Sequence, residues 1–324
     1  MVARIEFART GGPEVLALVE TPLADPGPCE VRVRHRAIGV NFIDCYHRSG
    51  LYPMPLPSGI GLEAAGVVEA VGEGVTTCRA GDRVGYFLGP PGAYAEARNI
   101  AADRLVKLPD AVDDRTAAAV MLKGATVEYL VRRVFPVKAG DVVLFHAAAG
   151  GVGLLACQWL KALGARTIAT AGSPEKAALA RDHGADAVIL YREEDVVTRV
   201  RALTEGRGVD VVYDGVGRAT FAASLDCLRP RGYMVSYGNA SGAVGEIDVN
   251  LLQTKGSLFL TRPSLMHYYA NAEEIAAGVD QLFEMVTRGA LRPLIGQEFP
   301  LARAADAHRA LESRATRGAT ILLP

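Results

Sequence analysis

The sequence predicts an α/β chain in two parts: a doubly wound parallel sheet and a β-rich region. Three observations carry this reading. After about Lys123, short β-branched runs alternate with helical runs over short links, the pattern of a parallel sheet covered on both faces. Before that point, strand-like runs are punctuated by glycine turns at the spacing of a small barrel or sandwich. The 324 residues exceed one ordinary domain, and with 50% hydrophobic and 22% charged residues the chain can bury sizeable cores. Neither a disordered chain nor a coiled coil fits that composition.

In the first part, Val31–Arg34 alternates as a half-buried strand should. Gly66–Val71 is a second strand followed by the turn Gly72-Glu73-Gly74, and Ala80-Gly81-Asp82 turns into a strand ending at Tyr86. In the second part, Val142–Phe145, Arg166–Ala171, Ala187–Leu190, Val209–Tyr213 and Tyr233–Tyr237 read as strands, with Gly256–Leu260 as a last one. Helices are expected over Gly151–Leu163, closed by Gly164, over Pro174–His183, stopped by Gly184, and over Glu193–Leu203. A long helix, Asn271–Arg288, precedes a closing strand at Ala319–Leu322.

Lys plus Arg (35) nearly balance Asp plus Glu (36), and a net charge of -1 lacks the electrostatic footprint of a non-specific nucleic-acid binder. The opening Met1–Phe7 has no basic stretch followed by an apolar one, so no signal peptide is expected. Val142–Leu160 contains no Asp, Glu, Lys or Arg and approaches the length of a membrane span, but Gly150-Gly151-Val152-Gly153 divides it into a strand and a helix. The five cysteines are scattered with no C-x-x-C, which fits reduced thiols in a cytoplasmic setting better than a disulfide framework.

The cluster Ala148-Ala149-Gly150-Gly151-Val152-Gly153 is the dinucleotide-binding turn G-x-G-x-x-G with alanine in place of its first glycine. It follows a strand, opens a helix and heads a βαβ series, the context that gives the motif meaning. Gly150 lets the backbone approach a pyrophosphate, Gly153 lets the helix pack closely, and the helix N-terminus offers N–H groups to phosphate. The second strand ends Thr170-Ala171-Gly172-Ser173-Pro174, with no acid where an unphosphorylated ribose would meet one. Lys176 and the Ser173 hydroxyl suit a 2′-phosphate, so NADPH is expected over NADH.

Two longer patterns coincide. Gly61-Leu62-Glu63-Ala64-Ala65-Gly66, continuing to Gly72 and Val75, resembles the zinc signature of medium-chain alcohol dehydrogenases, with Leu62 in place of its histidine. Gly140-Asp141, Leu144, Ala148–Gly153, Gln158 and Lys161 match the quinone oxidoreductase/ζ-crystallin pattern at every spaced position. The likeness continues through Gly39–Asp44, Arg48–Tyr52, Tyr237-Gly238-Asn239 and Ser313–Thr316. Over essentially its whole length the chain resembles the zinc-free quinone oxidoreductases of the medium-chain dehydrogenase/reductase superfamily. The resemblance implies a Rossmann domain at 124–263 and a GroES-like catalytic domain built from 1–123 and 264–324. It also implies NADPH and acceptor in the cleft between them, and a homodimer paired through the outer strand near Gly256–Leu260.

A catalytic zinc in the related alcohol dehydrogenases takes a thiolate, an imidazole and a second cysteine. The first two positions are Asn41 and Leu62 here, so no metal is expected. Without a Lewis acid, the easier reaction is hydride delivery from NADPH to an electron-poor quinone or α,β-unsaturated carbonyl. Protein groups then need only position the rings and donate hydrogen bonds to a developing oxyanion. Asn41, Tyr46 and Tyr52 are the candidates there, Tyr52 as a donor to the acceptor oxygen and Asn41 as a residue that fixes the pocket.

By resemblance, Phe42, Ile43, Asp44, Cys45, Tyr46 and Tyr129 would face the nicotinamide half, and Gly150, Gly151, Val152 and Gly153 the pyrophosphate. Gly172, Ser173, Lys176 and Tyr191 would form the adenine and 2′-phosphate pocket. Val216, Tyr237, Gly238, Asn239, Ala240, Pro263, Ser264 and Leu265 would line the nicotinamide side from the nucleotide domain, and Arg314 would reach back from the terminal segment. His146 reads as a satisfied core histidine, and Arg199, Arg201 and Arg207, balanced by Glu205 and Asp210, as a solvated surface. Quinone reduction is the leading reading, and reduction of enone or alkenal double bonds the nearest alternative. An RNA-binding or structural role, as in ζ-crystallin-like relatives, is the alternative of another class. Near-neutral charge and the lack of aromatic–basic stacking motifs disfavour a nucleic-acid partner.

Overall fold

The computed structural model describes residues 1–324, which form two compact units. The first comprises Met1–Ala125, Tyr269–Thr287 and Pro293–Pro324; the second comprises Thr126–Tyr268 and Arg288–Arg292.

The first unit opens with strands β1 (Val2–Phe7), β2 (Ala17–Thr21) and β3 (Glu30–Val40), then helix α1 (Phe42–Ser49). Strands β4 (Ser58–Gly59), β5 (Glu63–Val71), β6 (Arg83–Tyr86), β7 (Ala97–Ala101) and β8 (Val106–Lys107) follow, then helix α2 (Asp114–Tyr129). The second unit runs β9 (Val142–Phe145), α3 (Gly151–Ala162), β10 (Arg166–Ala171), α4 (Pro174–Asp182), β11 (Ala187–Leu190), α5 (Val196–Leu203) and β12 (Val209–Asp214). It continues with α6 (Phe221–Cys227), β13 (Leu228–Ser236), α7 (Asn250–Thr254), β14 (Phe259–Thr261) and α8 (Leu265–Tyr268). Helix α9 (Ala272–Thr287), strand β15 (Ile295–Pro300), helix α10 (Ala304–Glu312) and strand β16 (Ala319–Leu323) complete the first unit.

Two sheets build the first unit: β2-β1-β4, and β15-β16-β3-β5-β6-β8 with β7 also on β3. Strand β3 is long enough to serve three partners, and its pairing with β5 shifts register at Arg32/Val33 and again at His35/Ala37. Such irregularities bend a strand and increase its twist, which suits a sheet that curls around a core. Val31, Val33, Ile38, Val84 and Tyr94 are fully buried in that core, in keeping with the alternation read from Val31–Arg34.

The second unit holds one six-stranded sheet, ordered β11-β10-β9-β12-β13-β14, with every pair parallel. In order of appearance this is 3-2-1-4-5-6, the doubly wound order, with its switch point between β9 and β12. Val143, Leu144, Phe145, Val211, Val212 and Tyr213 are fully buried there. Each such side chain contributes ~1.5–3 kcal/mol by leaving water, so the centre of the sheet is rigid ground for whatever its loops carry.

Element boundaries follow local chemistry. Helix α4 has Pro174 in its first turn, Ser173 Oγ as acceptor for the Lys176 N–H, and Gly184 at φ 112° shortly after its end. Helix α5 starts three residues later than Glu193, because Asp195 caps the Thr198 N–H and the N–H groups of Glu193 and Glu194 both donate to Leu190 O in a turn. The last strand of the sheet starts at Phe259, since Gly256 (φ 113°) and Ser257 (φ 56°) form a turn after α7. Arg199 pairs with Glu194 and Arg207 with Asp210, while Arg201 donates to the backbone oxygens of Gly206, Asp226 and Leu228. No helix is long and apolar enough to cross a membrane.

Candidate functional site

The glycine turn lies at the carboxyl end of β9. Ala147 occupies the left-handed region at φ 55°, uncommon for a residue with a side chain, and its N–H donates to Thr170 Oγ1 at 3.2 Å. A Cβ on Gly153 would come within 2.6 Å of Ala147 O and of Ala148 Cα, so only glycine lets α3 start this close to the turn. Gly150 differs: a Cβ there would meet only Ala147 O, at an ordinary 3.4 Å. The chain itself does not demand glycine at 150, which fits a position kept bare for a close-lying phosphate. No side chain caps α3, so the first-turn N–H groups of Gly151 and Val152 suit an anion.

At the end of β10 the structure gathers the expected adenine-side residues. A Cβ on Gly172 would lie 2.6 Å from Tyr191 Oη, so the Tyr191 ring, 46% exposed, leans directly on that glycine. Ser173 caps α4 and Lys176 occupies its first turn. The donor set carries no acid from Gly172 to Pro174 and one lysine, chemistry that fits a phosphorylated ribose.

The loops after β12 and β13 interlock. Ser241 N–H and Oγ both donate to Val216 O, and Ala240 N–H donates to Gly215 O. Tyr237 N–H donates to Asp214 O, and a Cβ on Gly238 would collide with the Gly215 backbone. Val216 and Tyr237–Ala240 are thereby brought into one surface. Arg262 donates to Ser236 O at 2.8 Å, which ties the segment holding Pro263, Ser264 and Leu265 to the end of β13. Tyr129 is stacked on Tyr268, with ring centroids 4.9 Å apart.

In the first unit, α1 collects Phe42, Ile43, Asp44, Cys45 and Tyr46, and the Tyr46 and Tyr52 rings meet edge-to-face at 5.1 Å. Asn41, the residue before α1, donates from Nδ2 to Glu63 Oε2 (2.9 Å). Glu63 is fully buried; its Oε1 accepts the Leu122 N–H (2.7 Å), and Lys123 Nζ lies 3.2 Å from Oε2. Asp44 Oδ2 accepts the Asn41 N–H and the Tyr94 O–H, whereas Oδ1 has no hydrogen bond. Burial drives the Asp44 carboxyl up to about 7, against the opposing pull of those two donors. Tyr94 also meets His308 Nε2, and His308 Nδ1 accepts from Arg48, which forms a two-pronged pair with Glu312. Cys45 is no nucleophile in this setting, because burial pushes its thiol well up. Arg314 is exposed and at φ 58° just past α10.

Sequence reading did not find Glu63 with Lys123, nor the link from Thr170 through His146 and Ser224 to Asp214. The first pair is 60 residues apart, and no local pattern announces it. His146, just past a buried strand, was the visible signal for the second.

The residues 27–110 match the family model described as an alcohol dehydrogenase GroES-like domain, and 151–286 match the one described as zinc-binding dehydrogenase. The quinone oxidoreductase of Pseudomonas aeruginosa is 55% identical over 325 residues, covering all of both chains. The chain belongs to the quinone oxidoreductase family. The crystal structure of Escherichia coli quinone oxidoreductase complexed with NADPH superimposes with a TM-score of 0.98 at 52% identity, over 99% of this chain and all of that one. A 2-haloacrylate reductase from a Burkholderia species is 46% identical over all of this chain and 99% of its own. The fold is that of the superfamily, a GroES-like domain with a Rossmann domain.

Zinc, which one family description carries, does not fit this member. Asn41 and Leu62 stand at two donor positions, where neither a neutral amide nor a buried leucine side chain replaces a thiolate or an imidazole.

Proposed function

We propose that this protein uses NADPH to reduce quinones to hydroquinones, consuming one NADPH and one proton for each quinone. The observation that carries the reading is full-length identity of 52–55% to quinone oxidoreductases, with a TM-score of 0.98 to the one complexed with NADPH. NADPH, when bound, supplies the hydride. The bare Gly150 and the uncapped start of α3 receive the pyrophosphate. Lys176 and Ser173 hold the 2′-phosphate, and Tyr191 packs beside the adenine. The interlocked loops at Val216 and Tyr237–Ala240, with Pro263–Leu265, support the nicotinamide end, as do Tyr129 and Phe42–Tyr46. Asn41 spends its amide on Glu63, which supports a pocket-fixing role. Tyr52, half-buried against Tyr46, orients the acceptor oxygen.

Steady-state oxidation of NADPH with a benzoquinone tests the reaction. A second reading, reduction of an activated carbon–carbon double bond, is favoured by the 46% identical 2-haloacrylate reductase. Rapid turnover of an alkenal beside negligible benzoquinone turnover would replace the first reading by the second. Lys176→Ala tests the cofactor assignment: it is expected to weaken NADPH about tenfold or more and NADH little, as the loss of one charge-assisted contact requires. Equal losses for both cofactors remove that role from Lys176.

Homodimerisation through the edge of the parallel sheet belongs to the same proposal. Strand β14 is the outer strand, and Phe259, 50% exposed, stacks on Tyr233 at 4.6 Å. An exposed apolar edge of this kind is a template for pairing. Phe259→Lys is expected to give monomers in sedimentation; an unchanged dimer would place the interface elsewhere. A cytoplasmic location is proposed on the five free cysteines.

A further inference from the structure

A buried chain of hydrogen bonds crosses the switch point of the parallel sheet, from the glycine turn to the loop after β12. Its direction follows from the groups that compose it. The Ala147 N–H donates to Thr170 Oγ1 (3.2 Å). Thr170 Oγ1 lies 3.1 Å from His146 Nδ1, and His146 Nε2 lies 3.0 Å from Ser224 Oγ. Ser224 Oγ in turn shares its proton between Asp214 Oδ2 (3.0 Å) and Thr220 O (2.8 Å). Asp214 Oδ2 also accepts the Thr220 O–H (2.7 Å), while Oδ1 accepts the N–H groups of Val216 (2.8 Å) and Gly217 (3.0 Å).

The one Ser224 hydroxyl proton has two acceptors in reach, Asp214 Oδ2 and Thr220 O, and with either it points away from the imidazole. Ser224 Oγ then accepts the Nε2–H of His146. His146 then accepts at Nδ1 from the Thr170 hydroxyl, which leaves the Thr170 oxygen to accept from Ala147. A neutral imidazole meets this demand for one donor and one acceptor; an imidazolium, with two donors, does not. His146, Thr170, Ser224 and Asp214 are each between 0 and 2% exposed, and burial holds the imidazole pKa below its usual value. At its near end the chain grips Ala147, held in the left-handed region, and at its far end it fixes two successive amides of the loop on which Ser241 closes. A strained residue of this kind persists only where its surroundings over-determine it.

We propose that His146 is a positioning residue that ties the glycine turn to the Val216–Gly217 loop, so that the two loops hold a dinucleotide as a single unit. His146 touches no reacting atom in this role. It fixes the tautomeric direction of the chain, and through it the two backbone segments that meet the cofactor on either side of the switch point. The inference rests on the NADPH reading for what the loops hold, though not for the existence of the chain.

Thr170→Val and Ser224→Ala each cut the chain on one side of His146, and Thr170→Ser is the conservative control that keeps the hydroxyl. In the ligand-free protein, Thr170→Val is expected to speed amide hydrogen exchange at Val216 and Gly217, on the far side of the imidazole, with Thr170→Ser close to wild type. Unchanged exchange there overturns the proposal. If Thr170→Val does not fold, Ser224→Ala reads the chain in reverse, through faster exchange at Ala147. NADPH titrations by fluorescence supply the second readout. Each single variant is expected to weaken binding about tenfold and the double variant by no more than about the larger single, since both sever one connected unit. Multiplying losses, about a hundredfold in the double, would mean two independent local contacts and would sink the idea. If wild-type protein binds no NADPH, the cofactor reading fails, while the exchange experiment still decides whether the loops are tied.

Discussion

Each unit buries a polar network, and the two are built on opposite principles. In the first unit the network is ionic. Glu63, fully buried, faces Lys123, and Arg48 pairs with Glu312 around His308, Tyr94 and Asp44. In the second unit no cation takes part: the Asp214 carboxyl is met by two backbone N–H groups and two hydroxyls, with a neutral imidazole behind them. An ion pair out of water depends on its partner, whereas a group met by dipoles shares its load among several weaker bonds. The first arrangement fixes its segments firmly at single points. The second distributes constraint along loops, which suits segments that must match a long flexible ligand.

The sharpest way to break this contrast is at Glu63. Glu63→Ala leaves the Lys123 ammonium buried without a counter-charge and removes the acceptor of Leu122 and Asn41. Loss of one member of a buried pair costs ~3–5 kcal/mol, so urea denaturation is expected to show a fall of that order. Lys123→Met combined with Glu63→Gln removes both charges and recovers much of the loss. A cost under about 1 kcal/mol for Glu63→Ala would show that water reaches the pair and that the two networks differ less than their geometry indicates.

Acid titration separates the networks next. Burial lowers His35 to about 4 and His308 to about 3 from an ordinary 6.5, so both must stay neutral for the first unit to fold. Their contribution is present above pH 6.5 and is lost as pH falls toward those values. Asp44, raised from 3.8 to about 7, works in the other direction: its contribution is full below 3.8 and is lost as pH rises through 7. Between pH 6.5 and 4 the two histidines outweigh the one carboxyl. These three groups alone give a net loss on acidification of about 1.4 kcal/mol per pH unit, and His47 and His146, both lowered by burial, add to it in the same sense. Asp44→Asn removes the offset, so its stability is expected to fall more steeply over that range, by about a further 1.4 kcal/mol per pH unit. A slope unchanged by the substitution would show that Asp44 is ionised in the folded protein.

Much of the architecture was legible because it is written in local rules. The glycine cluster, the proline and serine at the start of α4 and the glycines after α3 and α4 each act within a few residues of their position. Alternation located β3, and short continuous apolar runs located the parallel strands, for the same reason. Helix α1 was not read, although Asn41 and Asp44 stand three apart and Asp44 does accept the Asn41 N–H. Its eight residues are too few for a periodic pattern, and the family motif over the same stretch drew the reading toward ligands. His146 was legible as a buried, satisfied histidine. Its partners were not, because Thr170 and Ser224 lie 24 and 78 residues away and meet it only through the strand register. The positive φ at Ala147, one residue before the alanine that replaces the motif's first glycine, was equally hidden, since Thr170 rather than the residue type sustains it.

The smallest effect probes how evenly the second network shares its load. Thr220 donates to Asp214 Oδ2 at 2.7 Å and is one of four donors to that carboxyl. Thr220→Val keeps the shape and removes one hydrogen bond, while three donors remain to hold the charge. The expected cost is about 1 kcal/mol, the ordinary net value of one bond, with Thr220→Ser near wild type. A loss near that of Glu63→Ala would mean that the carboxyl depends on a single partner after all, and the distinction between an ionic and a distributed network would fail at the residue chosen to define it.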